Sequence, residues 1–95
     1  MNRYETIMIL SPKLTEEETK NAIQKVKDLI TSNGEVVTTE EWGLRKLAYP
    51  IQKFNEGYYV LIDFRSEADF IDELLRVYNI TDEIIKHIIV KKDEE

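Results

Sequence analysis

Residues 58–64, with the sequence Tyr-Tyr-Val-Leu-Ile-Asp-Phe, decide how this chain folds. They are apolar or aromatic at every position except Asp63, and most of them are residue types that favour strands. A strand with one face in solvent would alternate apolar and polar residues. A nearly continuous apolar run is instead typical of a strand in the interior of a sheet, buried on both faces. We therefore predict that this segment is a central strand.

The sequence before this strand predicts a first strand followed by a helix. Residues 3–10 are rich in β-favouring side chains, and Pro12 stops that run. Thr15 is followed three residues later by Glu18, which is the pattern of a capping box at the start of a helix. The Asn-Gly pair at residues 33–34 is a typical helix end.

A long extended segment links this helix to the central strand. Residues 35–49 begin with β-branched side chains and are interrupted by Gly43, which indicates a bulge in an exposed ribbon. Pro50 has no N–H donor, so this part of the ribbon should lie at a sheet edge or leave the sheet. We expect residues 54–57, Phe-Asn-Glu-Gly, to form the turn into the central strand.

A second helix and a last strand complete the pattern. Ser66, with Asp69 three residues later, predicts the start of the helix, and residues 84–91 predict a strand. The resulting order is β-α-β-β-α-β, and right-handed crossovers place both helices on one face of a four-stranded antiparallel sheet. We therefore predict an α+β protein of the ferredoxin-like class, with residues 1–95 forming a single domain.

Composition excludes several classes of function. There is no cysteine, so disulfides, thiolate metal sites and thiol nucleophiles are impossible. No apolar run approaches the roughly 18 residues that a membrane span needs, so we expect a cytoplasmic protein without membrane contact. The formal net charge of −6 argues against indiscriminate coating of nucleic acid, although a local basic patch remains compatible with it.

The sequence offers no catalytic centre. His87 is the only histidine, and it lies between isoleucines without a neighbouring acid, so we interpret it as a partly buried strand residue or one at a partner surface. There is no glycine-rich phosphate loop, and the first loop lacks the glycine-bearing anion site of small acylphosphatases. We expect no enzyme activity, no metal and no cofactor.

Residues 42–55 are the most informative stretch for function. In a net acidic chain, this segment contains three cations and no acid, and its aromatic residues are interleaved with the cations. Cations can neutralise phosphates, and aromatic rings can stack on exposed bases. The alternative is that the apolar residues pack while the cations remain solvated, so the residues alone leave RNA binding, protein binding and simple packing open.

The nine residues Gly-Leu-Arg-Lys-Leu-Ala-Tyr-Pro-Ile at positions 43–51 resemble the signature of the bacterial small-subunit ribosomal protein S-six family. The openings of the first strand (residues 3–6) and of the central strand (residues 56–59) are also similar to that family, as is the chain near its end (residues 89–92). The resemblance thus extends over essentially the whole chain.

This resemblance implies a ferredoxin-like structural component of the small ribosomal subunit, supporting translation in the cytoplasm. It implies binding to the central domain of 16S ribosomal RNA, rather than DNA, together with a basic partner, ribosomal protein S-eighteen. The resemblance assigns an RNA role to Arg3, Arg45 and Lys46. Three further candidates are Tyr4, Tyr49 and Lys53, of which Tyr49 could equally anchor its ribbon by packing.

Two other classes of protein with the same strand order are alternatives. An RNA-recognition motif would carry a basic, aromatic-rich third strand, but residues 56–63 begin with an acid and include Asp63. A protein-interaction domain that dimerises through its open sheet face would explain the acidity, but not the basic ribbon. The acidic residues 93–95 would repel phosphate, so we expect the chain end to point away from RNA.

Overall fold

The chain follows the predicted β-α-β-β-α-β order in a computed structural model that describes residues 1–92. The elements are β1 (Asn2–Leu10), α1 (Glu16–Asn33), β2 (Gly34–Ile51), β3 (Phe54–Ser66), α2 (Asp69–Ile80) and β4 (Ile84–Lys92). The expectation about the acidic end concerns residues 93–95, which lie outside the described residues.

The four strands form one antiparallel sheet in the order β2-β3-β1-β4. The central position predicted for residues 58–64 is confirmed, because β3 pairs with β2 on one side and with β1 on the other. The ferredoxin-like α+β architecture is therefore confirmed. Pro50 lies on the edge strand β2, in a part where the pairing with β3 is irregular, as its missing N–H donor predicts.

The two helices cover one face of the sheet, where the main core lies. Alternate residues of β1 point into this core, and Met8 and Leu10 are completely buried there. The largest fully buried side chain is Tyr78 of α2, whose hydroxyl lies 2.9 Å from the hydroxyl of Thr6 in β1. This contact ties the second helix to the centre of the sheet.

The first helix begins as predicted. The Thr15 hydroxyl accepts a hydrogen bond from the Glu18 backbone N–H at 3.1 Å, and the Glu18 carboxylate accepts one from the Thr15 backbone N–H at 2.9 Å. The hydrogen bond from the Thr15 backbone N–H, supported by the Thr15 side chain, holds the pKa of the Glu18 carboxyl below its usual value. At the other end, Gly34 is required because a Cβ atom there would lie 2.0 Å from the carbonyl oxygen of Arg65.

The predicted start of α2 is wrong. Ser66 does not cap the helix, because it is fully buried as the last residue of β3, and its hydroxyl donates to the carbonyl of Glu67 at 3.1 Å. The helix begins at Asp69, and Ala68 before it provides no side-chain cap. Acidic side chains in the first turn, Asp69 and Asp72, instead complement the helix dipole.

The predicted turn at residues 54–57 is also wrong. The reversal occurs at Gln52 and Lys53, both of which have positive φ angles, 50° and 70°, as in a two-residue type I′ hairpin. Residues 54–57 belong to β3, and Gly57 is small there because a Cβ would lie 2.3 Å from the Ile9 side chain. The glycine serves close packing rather than a turn.

The predicted bulge at Gly43 is confirmed. The register of β2 against β3 shifts between Glu41 and Gly43, and Gly43 has a φ of +79°. Beyond this bulge, Leu47 becomes buried against Ile9 and Ile85 in a second, small core on the face opposite the helices. The end of the β2–β3 hairpin is thereby fixed to the rest of the sheet.

Within residues 1–92, no helix is long and apolar enough to span a bilayer.

Candidate RNA interface

The predicted cations do not form one patch, because they occupy two ends of the sheet. Arg3 of β1 is paired with Arg65 of β3, whereas Arg45 of β2 is paired with Gly57 of the same strand. At about 3.3 Å per residue, these two positions on β3 are roughly 26 Å apart. Lys46 and Lys53 lie at the Arg45 end, in the β2–β3 hairpin.

At its own end of the sheet, Arg3 is bound to a buried carboxylate. Its Nε and Nη2 atoms donate to the two oxygens of Asp63 at 3.0 and 2.7 Å, in a bidentate pair. Lys92 lies 3.5 Å from Asp63 and 3.5 Å from Glu5. The hydrogen bonds from Arg3 hold the pKa of Asp63 below its usual range. These two cations therefore neutralise carboxylates of the protein itself.

Tyr4 is a core residue. Only 6% of it is exposed, and its ring stacks on Phe64 with 5.5 Å between the ring centroids. Stacking on an RNA base would require this ring to leave the core. Its burial therefore favours a packing role for Tyr4.

The hairpin end forms an open, basic cleft with the β1–α1 connection. This cleft, which we call the lysine cleft, encloses about 540 Å³ and is lined by Pro12, Lys13, Lys46, Lys53, Phe54, Asn55 and Glu56. The ammonium group of Lys13 lies over the Phe54 ring, 5.6 Å from its centroid. The sequence analysis did not identify Lys13 as a candidate. The sequence shows only that Lys13 follows β1, and the pairing of β1 with β3 is what brings it near the hairpin.

Arg45 is exposed and is held by its neighbour Trp42. Its guanidinium lies 5.4 Å from the indole centroid, and its Nε donates to the Trp42 carbonyl at 3.5 Å. The indole in turn stacks on Tyr59 of β3, with 6.3 Å between centroids. Arg45 is therefore orientated along β2 while it remains accessible to solvent.

Tyr49 is not the packing anchor of the hairpin. It is 58% exposed, whereas Leu47, two residues earlier, is 6% exposed and provides that anchor. The Tyr49 hydroxyl accepts a hydrogen bond from Nζ of Lys86 at 2.6 Å, and the same ammonium lies 4.9 Å from the ring centroid. Lys86 of β4 is a second cation at this end of the molecule that sequence reasoning missed.

The sheet face opposite the helices carries an apolar row in its middle. Leu61, Ile7 and Ile88 are directly paired across β3, β1 and β4. Ile88 is 45% exposed, and Val90 farther along β4 is 51% exposed. This row, which we call the apolar row, lies between the Arg3 network and the hairpin end.

In the described part of the chain, the remaining ionisable residues do not form a reactive centre. His87 is half-buried, its ring stacks on Tyr78 at a centroid distance of 4.9 Å, and burial lowers its pKa. Its Nε2 atom lies 3.4 Å from Oδ1 of Asn79. Among residues 1–92, no three histidine or carboxylate side chains come together in a way that could hold a metal ion.

Comparison with known proteins finds related sequences over nearly the full chain. The profile of the family described as ribosomal protein S6 matches residues 3–91. The small ribosomal subunit protein bS6 of Caldanaerobacter subterraneus subsp. tengcongensis is 52% identical over 95 residues, which cover 99% of this chain and 100% of that protein. Its counterpart in Clostridium novyi is 50% identical with the same coverage.

A solved structure gives the same result. The crystal structure of 30S ribosomal protein S6 from Thermotoga maritima superposes with a TM-score of 0.92 at 38% identity, and covers 96% of this chain and 87% of that one. The family consists of structural proteins, so the prediction that the chain is not an enzyme is confirmed. The resemblance drawn from residues 43–51 is confirmed as well, and the chain belongs to the ribosomal protein S6 family.

Proposed function

We propose that this chain is a structural constituent of the small ribosomal subunit in the cytoplasm, where it acts as a single RNA-binding domain. It binds the central domain of 16S ribosomal RNA together with ribosomal protein S-eighteen. The observation that carries the RNA part of the proposal is the hairpin end, where accessible cations gather on an otherwise acidic protein. The apolar row supports the partner part.

The RNA surface of this proposal consists of Arg45, Lys46, Lys53 and Tyr49. The three cations are exposed, and none of them forms an ion pair with a carboxylate among residues 1–92. A surface cation that has no carboxylate partner can neutralise a phosphate without first breaking an ion pair within the protein. Phosphate contacts of this kind fix position and orientation on RNA rather than read its sequence.

Arg3 and Tyr4 are left out of this surface. A phosphate at Arg3 would compete with Asp63 for the guanidinium, and the Tyr4 ring is buried. Removing Arg3 would take away both hydrogen bonds of its guanidinium to the buried Asp63 carboxylate and leave Lys92 at 3.5 Å, so mutation of Arg3 would report on folding as well as on RNA. Substitutions at the hairpin end are therefore better suited to test RNA binding, because they break no ion pair within the described residues.

The apolar row is the proposed contact with S-eighteen. Ile88 and Val90 are large apolar side chains about half exposed on an open sheet face, a position that favours burial by a partner. The net charge of −6 would attract a basic protein to this chain, while the hairpin end remains directed towards RNA. An acidic protein could then reside on RNA without repelling it.

The test is a gel-shift titration against a central-domain 16S RNA fragment, with and without S-eighteen, at two salt concentrations. We compare the wild type with Arg45→Ala/Lys46→Ala. Each lost phosphate contact should flatten the slope of log affinity against log salt by about 0.7 to 0.9, so the double variant should lose about 1.4 to 1.8. A matched control, Lys25→Ala/Lys27→Ala, removes the same charge from α1 and should retain the wild-type slope.

The partner part is tested in the same titration with Ile88→Glu. Because the substitution places a carboxylate in the apolar row, it should abolish the increase in RNA affinity that S-eighteen causes. The RNA affinity measured without the partner should stay nearly unchanged. If the folded wild type binds no RNA under any of these conditions, the proposed function is wrong. If S-eighteen tightens the Ile88→Glu complex as strongly as the wild type, the apolar row is not the partner surface.

A further inference from the structure

We propose that the lysine cleft is a phosphate-binding site in which Lys13, from outside the signature segment, acts as the third cation beside Lys46 and Lys53. The inference deepens the proposed function and rests on it for the identity of the ligand, the sugar–phosphate backbone of ribosomal RNA. It assigns a binding role to the β1–α1 connection, which no motif in the sequence marks.

The connection that carries Lys13 is fixed by its own hydrogen bonds. The backbone N–H of Ser11 donates to the Glu83 carbonyl at 2.9 Å, and the backbone N–H of Lys13 donates to the Ser11 hydroxyl at 3.2 Å. From this position the Lys13 side chain reaches across to Phe54 at the start of β3, where its ammonium lies 5.6 Å from the ring centroid. The cation–π contact holds the ammonium at Phe54, the first residue after the hairpin turn.

The charge of the cleft is unbalanced. Its lining contains three lysines and a single acid, Glu56. Within residues 1–92, no carboxylate comes within ion-pair distance of Lys13, Lys46 or Lys53, although Lys46 and Glu56 are direct neighbours in the β2–β3 ladder. Elsewhere, by contrast, Lys20 lies 3.3 Å from Glu16. An anion bound in the cleft would balance this excess of positive charge.

The geometry favours a phosphate over a base as the ligand. Phe54 is half-buried and its ring is already covered by the Lys13 ammonium, so a base would have to displace that cation in order to stack. Lysine ammonium groups are compact point charges with several donors, and they suit a phosphate approached from several directions. The cleft is open to solvent, so the backbone of an RNA strand could reach its lysines.

The first experiment compares Lys13→Gln with Lys25→Gln in the salt-dependent RNA titration, using full-length protein together with S-eighteen. Both substitutions remove one positive charge from an exposed lysine, but only the first changes the lysine cleft. Lys13→Gln should flatten the salt slope by about 0.7 to 0.9, and Lys25→Gln should leave it unchanged. Glu56→Gln, which removes the only carboxylate of the cleft, should change affinity in the opposite direction and tighten binding.

A second experiment keeps the inference testable without ribosomal RNA. Inorganic pyrophosphate is titrated into ¹⁵N-labelled protein, and the backbone amide shifts of residues 13, 46, 53 and 54 are followed by NMR. Saturable shifts at these positions in the wild type, strongly weakened in Lys13→Gln and retained in Lys25→Gln, support the site.

The outcomes separate the two proposals. If the wild type binds RNA but Lys13→Gln has the wild-type affinity and slope, the role of Lys13 is wrong while the proposed function stands. If the wild type fails to bind RNA, the proposed function is wrong, and the pyrophosphate titration decides whether an anion site exists. Absence of saturable shifts in the cleft overturns the inference in either case.

Discussion

The hydrogen bond between Thr6 and Tyr78 joins α2 to the centre of the sheet, and its direction can be deduced. The Thr6 hydroxyl has one hydrogen, which it donates to the Ile88 carbonyl at 3.0 Å. The bond of 2.9 Å to Tyr78 must therefore be donated by the phenol. Burial raises the pKa of Tyr78 to about 12, so the phenol keeps its proton at neutral pH.

This direction predicts unequal effects for two conservative substitutions. Tyr78→Phe removes one neutral hydrogen bond and leaves Thr6 with its acceptor, so it should cost about 0.5–1.5 kcal/mol of unfolding free energy. Thr6→Val removes the oxygen shared by both bonds and leaves the buried phenol O–H without an acceptor. An unsatisfied buried group costs about 1–3 kcal/mol of unfolding free energy. Thr6→Val also loses the hydrogen bond to the Ile88 carbonyl, which adds to this cost.

The assay is equilibrium urea unfolding of the wild type, both single variants and Thr6→Val/Tyr78→Phe. In the double variant the phenol is absent, so its desolvation cost disappears, and the total loss should be smaller than the sum of the single losses by about 1–2 kcal/mol. The slope of free energy against urea should stay constant, which shows that the unfolded state is unchanged.

Two results would refute this reasoning. One is a Thr6→Val variant as stable as Tyr78→Phe, because the shared oxygen would then carry no special role. The other is strict additivity in the double variant, which would mean that the two side chains are not coupled. Either result would show that the phenol has another hydrogen-bond partner, such as water.

Three further predictions concern stability. Gly34→Ala places a methyl group 2.0 Å from the Arg65 carbonyl oxygen and should cost about 1–3 kcal/mol, seen as a lower thermal midpoint; an unchanged midpoint would contradict the close approach. Thr15→Ala removes the cap of α1 and should cost about 1 kcal/mol in urea unfolding, and a loss of zero would show that the cap is not needed. Because Arg3 lowers the folded-state pKa of Asp63, the pair stabilises the protein above the unfolded-state pKa of about 3.9, and this contribution is lost as the pH falls through the folded-state value. Asp63→Asn should therefore weaken the acid dependence of stability below about pH 3.9, and an equal dependence in both proteins would contradict the assignment.

Local sequence patterns predicted most elements of the fold because the deciding interactions there are close in sequence. The capping box of Thr15 and Glu18 needs only four consecutive residues, and it is present as predicted. The two wrong predictions arose where packing between distant segments outweighed local preference. Gly57 resembled a turn residue, but it is small because Ile9 occupies the space, and Ser66 resembled a helix cap, but it is buried in the sheet.

The candidate interface was predictable only in part. Arg45, Lys46 and Lys53 are close together in the chain, so the sequence alone grouped them in one basic segment, whereas the structure placed that segment at one end of the sheet. It could not show that Arg3 pairs with Asp63, sixty residues away along the chain. Nor could it place Lys13 beside Phe54, since that contact depends on how β1 and β3 align.

The sequence by itself thus determined the order of the elements, the central position of β3 and the membership of the ribosomal protein S6 family. These follow from apolar periodicity, caps and a contiguous signature, which are properties of neighbouring residues. Only the tertiary structure decided which cations are neutralised by the protein's own carboxylates and which remain available for phosphate. The physical reason is that Coulombic attraction and burial depend on distance in space, and strand pairing sets those distances between residues that are far apart in the chain.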